Sequence, residues 1–447
     1  MTSYARKLNN AGEKKIEPWV MAAITFIVLC SLGFPGTFVK VIGEKANMAI
    51  SYFSFLLQIL IMAISSGGSP KEIRLVDLKY RYIPIYLFVI CIFAVSMVGT
   101  SDINAELISC IRFTVTALFA LWICDHMSVE QILTVFYHAQ IFYVAAAIIF
   151  SVFFSDYYDR AWGQDFAFLG LEDTKNVTGM TLCFGILIQI LLWKVCSDNR
   201  KGVSKFFVPF LVLQIVLMIL ADGTSAILTA VIVAAVVIIF GDKVRMNLGV
   251  VHTAVSIIFL IVAMTLLQLL EPILNAVGKD ASISGRIPLW TQILDVIRVN
   301  HPMVGFGYGH FWLDEEAYDL IHAGFSRQSF MSHMTAGAHN NMLELWLNTG
   351  LIGVIAFFVV IIWVFSHPEW IPRQKYLVCL TYMAYYTLVG LTERSWSTFG
   401  YMVLFMFLVA GLACQKVIPE EEEAARMRDR RRMKWDAKFK QAYQDRE

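Results

Sequence analysis

Twelve stretches of predominantly apolar residues follow one another along this chain, and they constrain its fold more than any other feature. They lie near 19–39, 46–64, 83–100, 106–124, 131–154, 176–196, 206–221, 225–240, 248–270, 340–365, 376–392 and 397–415. An α-helix needs about 20 such residues to cross the hydrocarbon core of a bilayer; the seventh and eighth stretches fall short of that. Composition agrees: 58% of the 447 residues are hydrophobic and 16% charged, against about 45–50% and about 25% in soluble chains. So few charges cannot coat the soluble domains that the length would otherwise allow. The expected fold is all-α, a polytopic membrane protein of about twelve transmembrane helices. Spans one to nine occupy 1–270, a large polar loop 271–339, spans ten to twelve 340–415, and a charged tail 416–447. The eight cysteines fall in or at the ends of apolar runs without paired Cys-x-x-Cys spacing. Neither a disulfide framework nor a zinc motif is expected from them.

Charge sets the orientation. Arg6, Lys7, Lys14 and Lys15 precede a first apolar run that is long and has no small-residue cleavage site after it, so it reads as a retained span rather than a signal peptide. An even number of spans puts both termini on one side. With both in the cytoplasm, 26 of the 36 Lys and Arg are cytoplasmic and 10 lie outside; without the tail the ratio is 16 to 10, the bias that the positive-inside rule expects. The tail opens with Glu420 to Glu423 and continues with Arg426, Arg428 and Arg430 to Arg432. It reads as a solvated helix or a contact for anionic lipid. A net charge of +1 supplies no basic field for nucleic acid.

Two long segments lie outside in this arrangement, 155–175 and 271–339. The second holds His301, His310, His322 and His333, with His339 at its end. Within it Ile287, Trp290, Ile293, Leu294 and Ile297 recur at helical three-and-four spacing. That amphipathic helix is expected to lie along the membrane surface or to cap a cavity. Gly305-Phe306-Gly307-Tyr308-Gly309 follows as a sharp turn; it lacks the strand and the third glycine of a dinucleotide fingerprint. Asp156, Asp159, Asp165, Glu172 and Asp173 fit no divalent-cation pattern and read as a solvated loop, so no metal is expected. Inside the spans, Arg112, Asp222, Glu344 and Arg394 fall toward the outer ends, and only His138 and His252 toward the inner. Such residues are costly in lipid unless paired or functional. A transporter would hold them near the midplane, with repeat symmetry between its halves. Polar chemistry gathered at one face suits an enzyme that works on a membrane-embedded substrate from outside.

The strongest local signal is His339-Asn340, then nine residues, then Gly350-Leu351-Ile352-Gly353. This pattern resembles the signature of the bacterial O-antigen ligase and O-antigen polymerase superfamily. Ser284-Gly285-Arg286 with Trp290, then His301-Pro302 and Gly305-x-Gly307, is similar to the lead-in of the same family. Gly170, Lys175, Asn176 and Gly179 resemble the start of its sixth span, especially in exopolysaccharide polymerases. The likeness is strong over about 280–355 and weak over 170–225. One departure matters: Gly223-Thr224-Ser225 stands where many members carry Ser-Arg, so an arginine expected there is missing.

The resemblance implies a metal-independent, inverting glycosyltransferase with a GT-C-type fold and no cofactor. Its donor would be an oligosaccharide on undecaprenyl pyrophosphate and its acceptor a sugar hydroxyl of another lipid-linked glycan. Its setting would be the bacterial cytoplasmic membrane, beside other polysaccharide-assembly proteins, with the site facing the periplasm. In that chemistry guanidinium forks meet the charge growing on the departing pyrophosphate; Arg286 suits this role first, then Arg394, Arg160 and Arg112. A histidine, with an ordinary pKa of about 6.5, suits the base that takes the hydroxyl proton, and His339 is the candidate. Lys175, Asn176 and Asn340 complete the expected substrate-binding set. Bland readings stand beside these. Asn340 is a favoured helix cap, Arg286 can snorkel to lipid phosphate, and Arg394 can pair with its neighbour Glu393. Asp222 can bond to Thr224 and Ser225, and Gly350 and Gly353 can serve close helix packing. The leading reading is a polymerase that joins lipid-linked repeat units of a surface polysaccharide. A ligase moving the finished glycan to lipid A core would use the same residues, and a flippase or exporter is the alternative of another class.

Overall fold

The computed structural model describes residues 16–33, 44–66, 79–153, 167–172, 174–195, 206–241, 243–276, 286–309, 311–313, 319–321, 337–393 and 400–417. Their regular structure is helical, with no strand among the described residues. The helices are α1 Pro18–Ser31, α2 Glu44–Ser66, α3 Ile83–Gly99, α4 Ile103–His126, α5 Val129–Phe153, α6 Lys175–Val195 and α7 Phe207–Leu220. There follow α8 Thr224–Phe240, α9 Leu248–Ala276, α10 Arg286–Val299, α11 Asn341–Val364, α12 Arg373–Gly390 and α13 Tyr401–Cys414. Every apolar stretch of the sequence holds one of these α-helices, and α10 lies in the polar stretch. Seven are long and apolar enough to cross a membrane (α2 to α6, α9 and α11), while α1, α7, α8 and α13 are apolar but shorter. This is an all-α polytopic membrane protein.

α12 is the informative exception, because its apolar character is modest. It packs against α8, α9 and α13, and Tyr376, Tyr382, Tyr385 and Tyr386 are completely buried there. Buried tyrosines need partners for their hydroxyls. Tyr385 donates to the Met180 carbonyl at 2.9 Å and lies 3.0 Å from the Tyr401 hydroxyl, and Tyr382 donates to the Met402 carbonyl. The helix therefore belongs in the bundle centre, whereas α2, α7, α8 and α9 turn exposed apolar side chains such as Phe53, Val212, Val231 and Ile258 outward.

The helix ends sort into two groups. At one end of the bundle Asp125, at the foot of α4, pairs with Arg81, with Lys79 at 3.0 Å, and with the Tyr82 hydroxyl at 2.7 Å. Gln415, just past α13, joins them by donating to the Cys124 carbonyl at 2.7 Å, and Lys375 at the start of α12 donates to Gln415. At the opposite end gather the starts of α6, α10 and α11 and the end of α12.

α10 bears out its periodicity. Leu289, Trp290, Ile293, Val296 and Ile297 are buried while Thr291, Asp295 and Arg298 face outward. Burying five such side chains stabilises the docked helix by of order 10 kcal/mol as an upper estimate. The buried face does not lie open on a surface: it packs on Leu343 and Leu347 of α11 and on Ala263 and Phe259 of α9, forming a small second core.

α11 is broken at Gly350, whose φ of 65° and ψ of −176° leave the helical region. A broken helix frees backbone groups that must find partners elsewhere, and the segment after α10 supplies them. Leu351 and Ile352 donate to the Pro302 and Met303 carbonyls at 3.0 and 3.1 Å, and Phe306 and Gly307 donate to the Leu347 and Asn348 carbonyls, both at 3.0 Å. The approach is so close that a Cβ on Gly350 would fall on the Met303 carbonyl. Gly305 and Gly307 turn the segment with φ of 70° and 102°, and the Tyr308 N–H then donates to Glu106 of α4 at 2.7 Å. The two glycine motifs are thus opposite faces of one interlock. Gly353 has the helix-packing role expected of it, with a Cβ position 3.4 Å from Ile92 of α3.

Candidate active site

Glu393 stands at the centre of the second group of helix ends. It follows α12 in a short turn, its N–H bonded to the Val389 carbonyl at 2.9 Å, and it is only 3% exposed. A buried carboxylate is costly unless donors surround it, and three converge here. Arg286 Nη2, from the first turn of α10, lies 2.6 Å from Oε1; Asn176 Nδ2, from the first turn of α6, lies 2.9 Å from the same oxygen. His339 Nδ1 lies 3.0 Å from Oε2. A carboxylate only accepts, so Nδ1 is the donating nitrogen of His339, and Nε2 is left to act as an acceptor or base. The Arg286 and His339 side chains keep 16% and 22% exposure, so neither is sealed from solvent.

The backbone around His339 is held from both sides. Asn340 is the N-cap of α11: its Oδ1 accepts from Met342 and Leu343 at 3.0 and 3.1 Å. Its Nδ2 donates to the Leu391 carbonyl at 3.1 Å, which ties the His339 turn to the Glu393 turn. The cap reading of Asn340 is therefore the one its contacts describe, and it is 2% exposed. His339 itself has φ 47°, a left-handed conformation uncommon outside glycine. On its other side the Ala338 carbonyl accepts from Trp290 Nε1 at 2.8 Å, and the Ala338 N–H donates to Glu344 Oε2 at 2.8 Å.

Of the residues singled out from the sequence, Arg286, Asn176 and His339 meet on Glu393, with Asn340 behind them. Lys175 is a neighbour that takes another partner: its Nζ lies 3.1 Å from Asp222 Oδ2, so Asp222 is held by α6 rather than by the hydroxyls of Thr224 and Ser225. These side chains are 40% and 70% exposed, and exposed pairs contribute at most about 1 kcal/mol. Replacing Lys175 with Ala is therefore expected to lower stability by less than about 1 kcal/mol, measured as a small shift in thermal unfolding. Arg112 of α4 carries its guanidinium over the Tyr52 ring of α2, 4.5 Å from the centroid, and is not among the residues that converge on Glu393. Glu172 accepts from the Tyr143 hydroxyl at 2.9 Å. Arg160, Arg394, Ser284, Gly285, His310, His322, His333, Asp156, Asp159, Asp165, Asp173 and most of the tail lie outside the described residues.

Glu393 is the residue that sequence reasoning passed over. Next to Arg394 it looks like half of a local ion pair, yet its described partners lie 54, 107 and 217 residues away along the chain. Its one sequence signal is a carboxylate at the end of an apolar span, close to where the other polar residues gather.

Fold and site together define a helical membrane protein with a buried Glu–His–Arg cluster at one end of its bundle. Residues 209–358 match the family model described as O-antigen ligase; the stretch contains Arg286, His339 and Asn340 and ends before Glu393. The exopolysaccharide production protein ExoQ of Rhizobium meliloti (strain 1021) is 25% identical over 233 residues, 49% of this chain and 51% of that one. The matched segment thus spans about half the length of this relative. The stretch similar to the O-antigen ligase model holds the His-Asn and paired-glycine motif as well.

Proposed function

We propose that the protein is a membrane glycosyltransferase of polysaccharide assembly, which joins repeat units carried on undecaprenyl pyrophosphate into a surface polysaccharide. The observation that carries this reading is the convergence of Arg286, His339 and Asn176 on one buried carboxylate. A base and a phosphate-binding cation thereby stand side by side, oriented by a common anchor. The acceptor sugar hydroxyl attacks the anomeric carbon of the donor, and its proton passes to His339 Nε2. The bond from the anomeric carbon to the pyrophosphate oxygen breaks, and the electron pair leaves with the pyrophosphate. Among the described residues Glu393 takes one of the five guanidinium donors of Arg286, and the fork has others with which to meet the growing phosphate charge. A single in-line displacement inverts the anomeric centre. Lys175, next to Asp222 and Gly223, brings a cation to the segment where the resemblance leads one to expect an arginine.

Metal independence is supported by the donor set: both Glu393 oxygens face hydrogen-bond donors from Arg286, Asn176 and His339. The setting would be the inner membrane of a bacterium, with both termini cytoplasmic and the cluster facing the periplasm. The ligase reading shares these residues and differs in the acceptor; the likeness to an exopolysaccharide production protein favours the polymerase. The test offers the purified protein lipid-linked repeat units, with and without lipid A core. A ladder of lengthened lipid-linked glycans supports polymerisation. Transfer to the core alone supports the ligase, and movement of the glycan across a vesicle membrane without bond formation overturns both.

A further inference from the structure

Resting on that reading, we infer that Trp290 and Glu344 are positioning residues for His339, acting through the Ala338 backbone. Neither touches the imidazole, but between them they take both polar groups of the residue before it. The Trp290 indole N–H donates to the Ala338 carbonyl at 2.8 Å, in the peptide that leads into His339. The Ala338 N–H donates to Glu344 Oε2 at 2.8 Å. Glu344 is itself fixed, because Oε1 accepts from Trp312 Nε1 at 2.9 Å and the residue is 2% exposed. Trp290 is completely buried.

Two features make this more than general packing. His339 sits at φ 47°, and a side chain keeps such a conformation only where its surroundings over-determine it. Released at Ala338, residue 339 relaxes toward ordinary backbone angles and carries its ring off Glu393. Trp290 also lies one helical turn after Arg286 on α10, so the two share a face. The same face of one helix therefore anchors the guanidinium on Glu393 and the backbone beside His339, and it sets the spacing between base and cation.

The test uses the full-length protein reconstituted with lipid-linked repeat units. Trp290→Phe keeps an aromatic ring, though a smaller one, and removes the N–H. Glu344→Gln keeps the size but leaves one acceptor oxygen for two donors. Each is expected to lower kcat about 10- to 100-fold, the size of effect of a misplaced catalytic group, with KM for the donor unchanged. The inference is overturned if Trp290→Phe matches wild type while His339→Gln is inactive. It is equally overturned if the Trp290→Phe loss falls on KM rather than kcat or is matched by a collapse of thermal stability. Full activity of His339→Gln would instead remove the role of His339 as base, and this inference with it.

Discussion

Glu393→Gln is expected to lower the rate of glycan transfer about 10²- to 10⁴-fold, the range for losing a general base or its orienting partner, in a protein that still folds. The size follows from where the donors sit. Arg286 and Asn176 both approach Oε1, at 2.6 and 2.9 Å, so the amide oxygen of glutamine settles there. Its NH₂ group then faces His339 Nδ1, which accepted no proton before and must accept one now. The imidazole switches tautomer and places its proton on Nε2, the nitrogen that has to receive the hydroxyl proton. Glu393→Ala should be as inactive and less stable as well. Removing one partner of a buried ion pair costs about 3–5 kcal/mol when the other is wholly buried, and less here, because Arg286 keeps some contact with solvent. Transfer rates and thermal unfolding of the two variants separate the effects: glutamine loses rate alone, alanine both.

Gly350→Ala is expected to be strongly destabilising. The backbone at φ 65° and ψ −176° is a region essentially reserved for glycine, with strain of about 1–3 kcal/mol for other residues. The added Cβ also meets the Met303 carbonyl, so the segment 302–307 must move away from α11. The four backbone hydrogen bonds that join them each contribute about 0.5–1.5 kcal/mol net. A total loss of about 3–9 kcal/mol follows if all four bonds are lost. Gly353→Ala is the comparison three residues on, where the backbone is helical and the added Cβ crowds Thr349 down to its own Cβ, so it carries crowding without the backbone strain. A larger fall in thermal stability for Gly350→Ala than for Gly353→Ala is the predicted pattern. Detached from α11, the segment also loses its grip on Tyr308 and Glu106, so activity falls with stability.

The architecture was readable because its causes are local. A run of apolar residues that crosses lipid must satisfy its backbone internally and so is helical, and each of the twelve runs holds an α-helix. The spacing of Trp290, Ile293 and Ile297 marked the buried face of α10 for the same reason. Asn340 carried the signal of a helix cap and is one. The unread features depend on residues far apart in sequence. Glu393 resembles a surface ion pair beside Arg394 until α6, α10 and α11 bring Asn176, Arg286 and His339 to it. Gly350 reads as helix packing until Met303, 47 residues earlier in the numbering, is found against it. Asp222 looked bound to its own turn, and its partner instead comes from the start of α6. Local chemistry announces which residues are unusual, and the fold decides which of them meet.

The central claim is that His339, oriented by Glu393, removes the acceptor proton without help from a metal. The most direct measurement is extension of purified lipid-linked repeat units by the reconstituted protein in the presence of chelator, for wild type and His339→Ala side by side. Lengthening by wild type, with no nucleotide or metal added, and none by His339→Ala is the predicted result. Abolition of wild-type activity by chelator, or undiminished extension by His339→Ala, would contradict it.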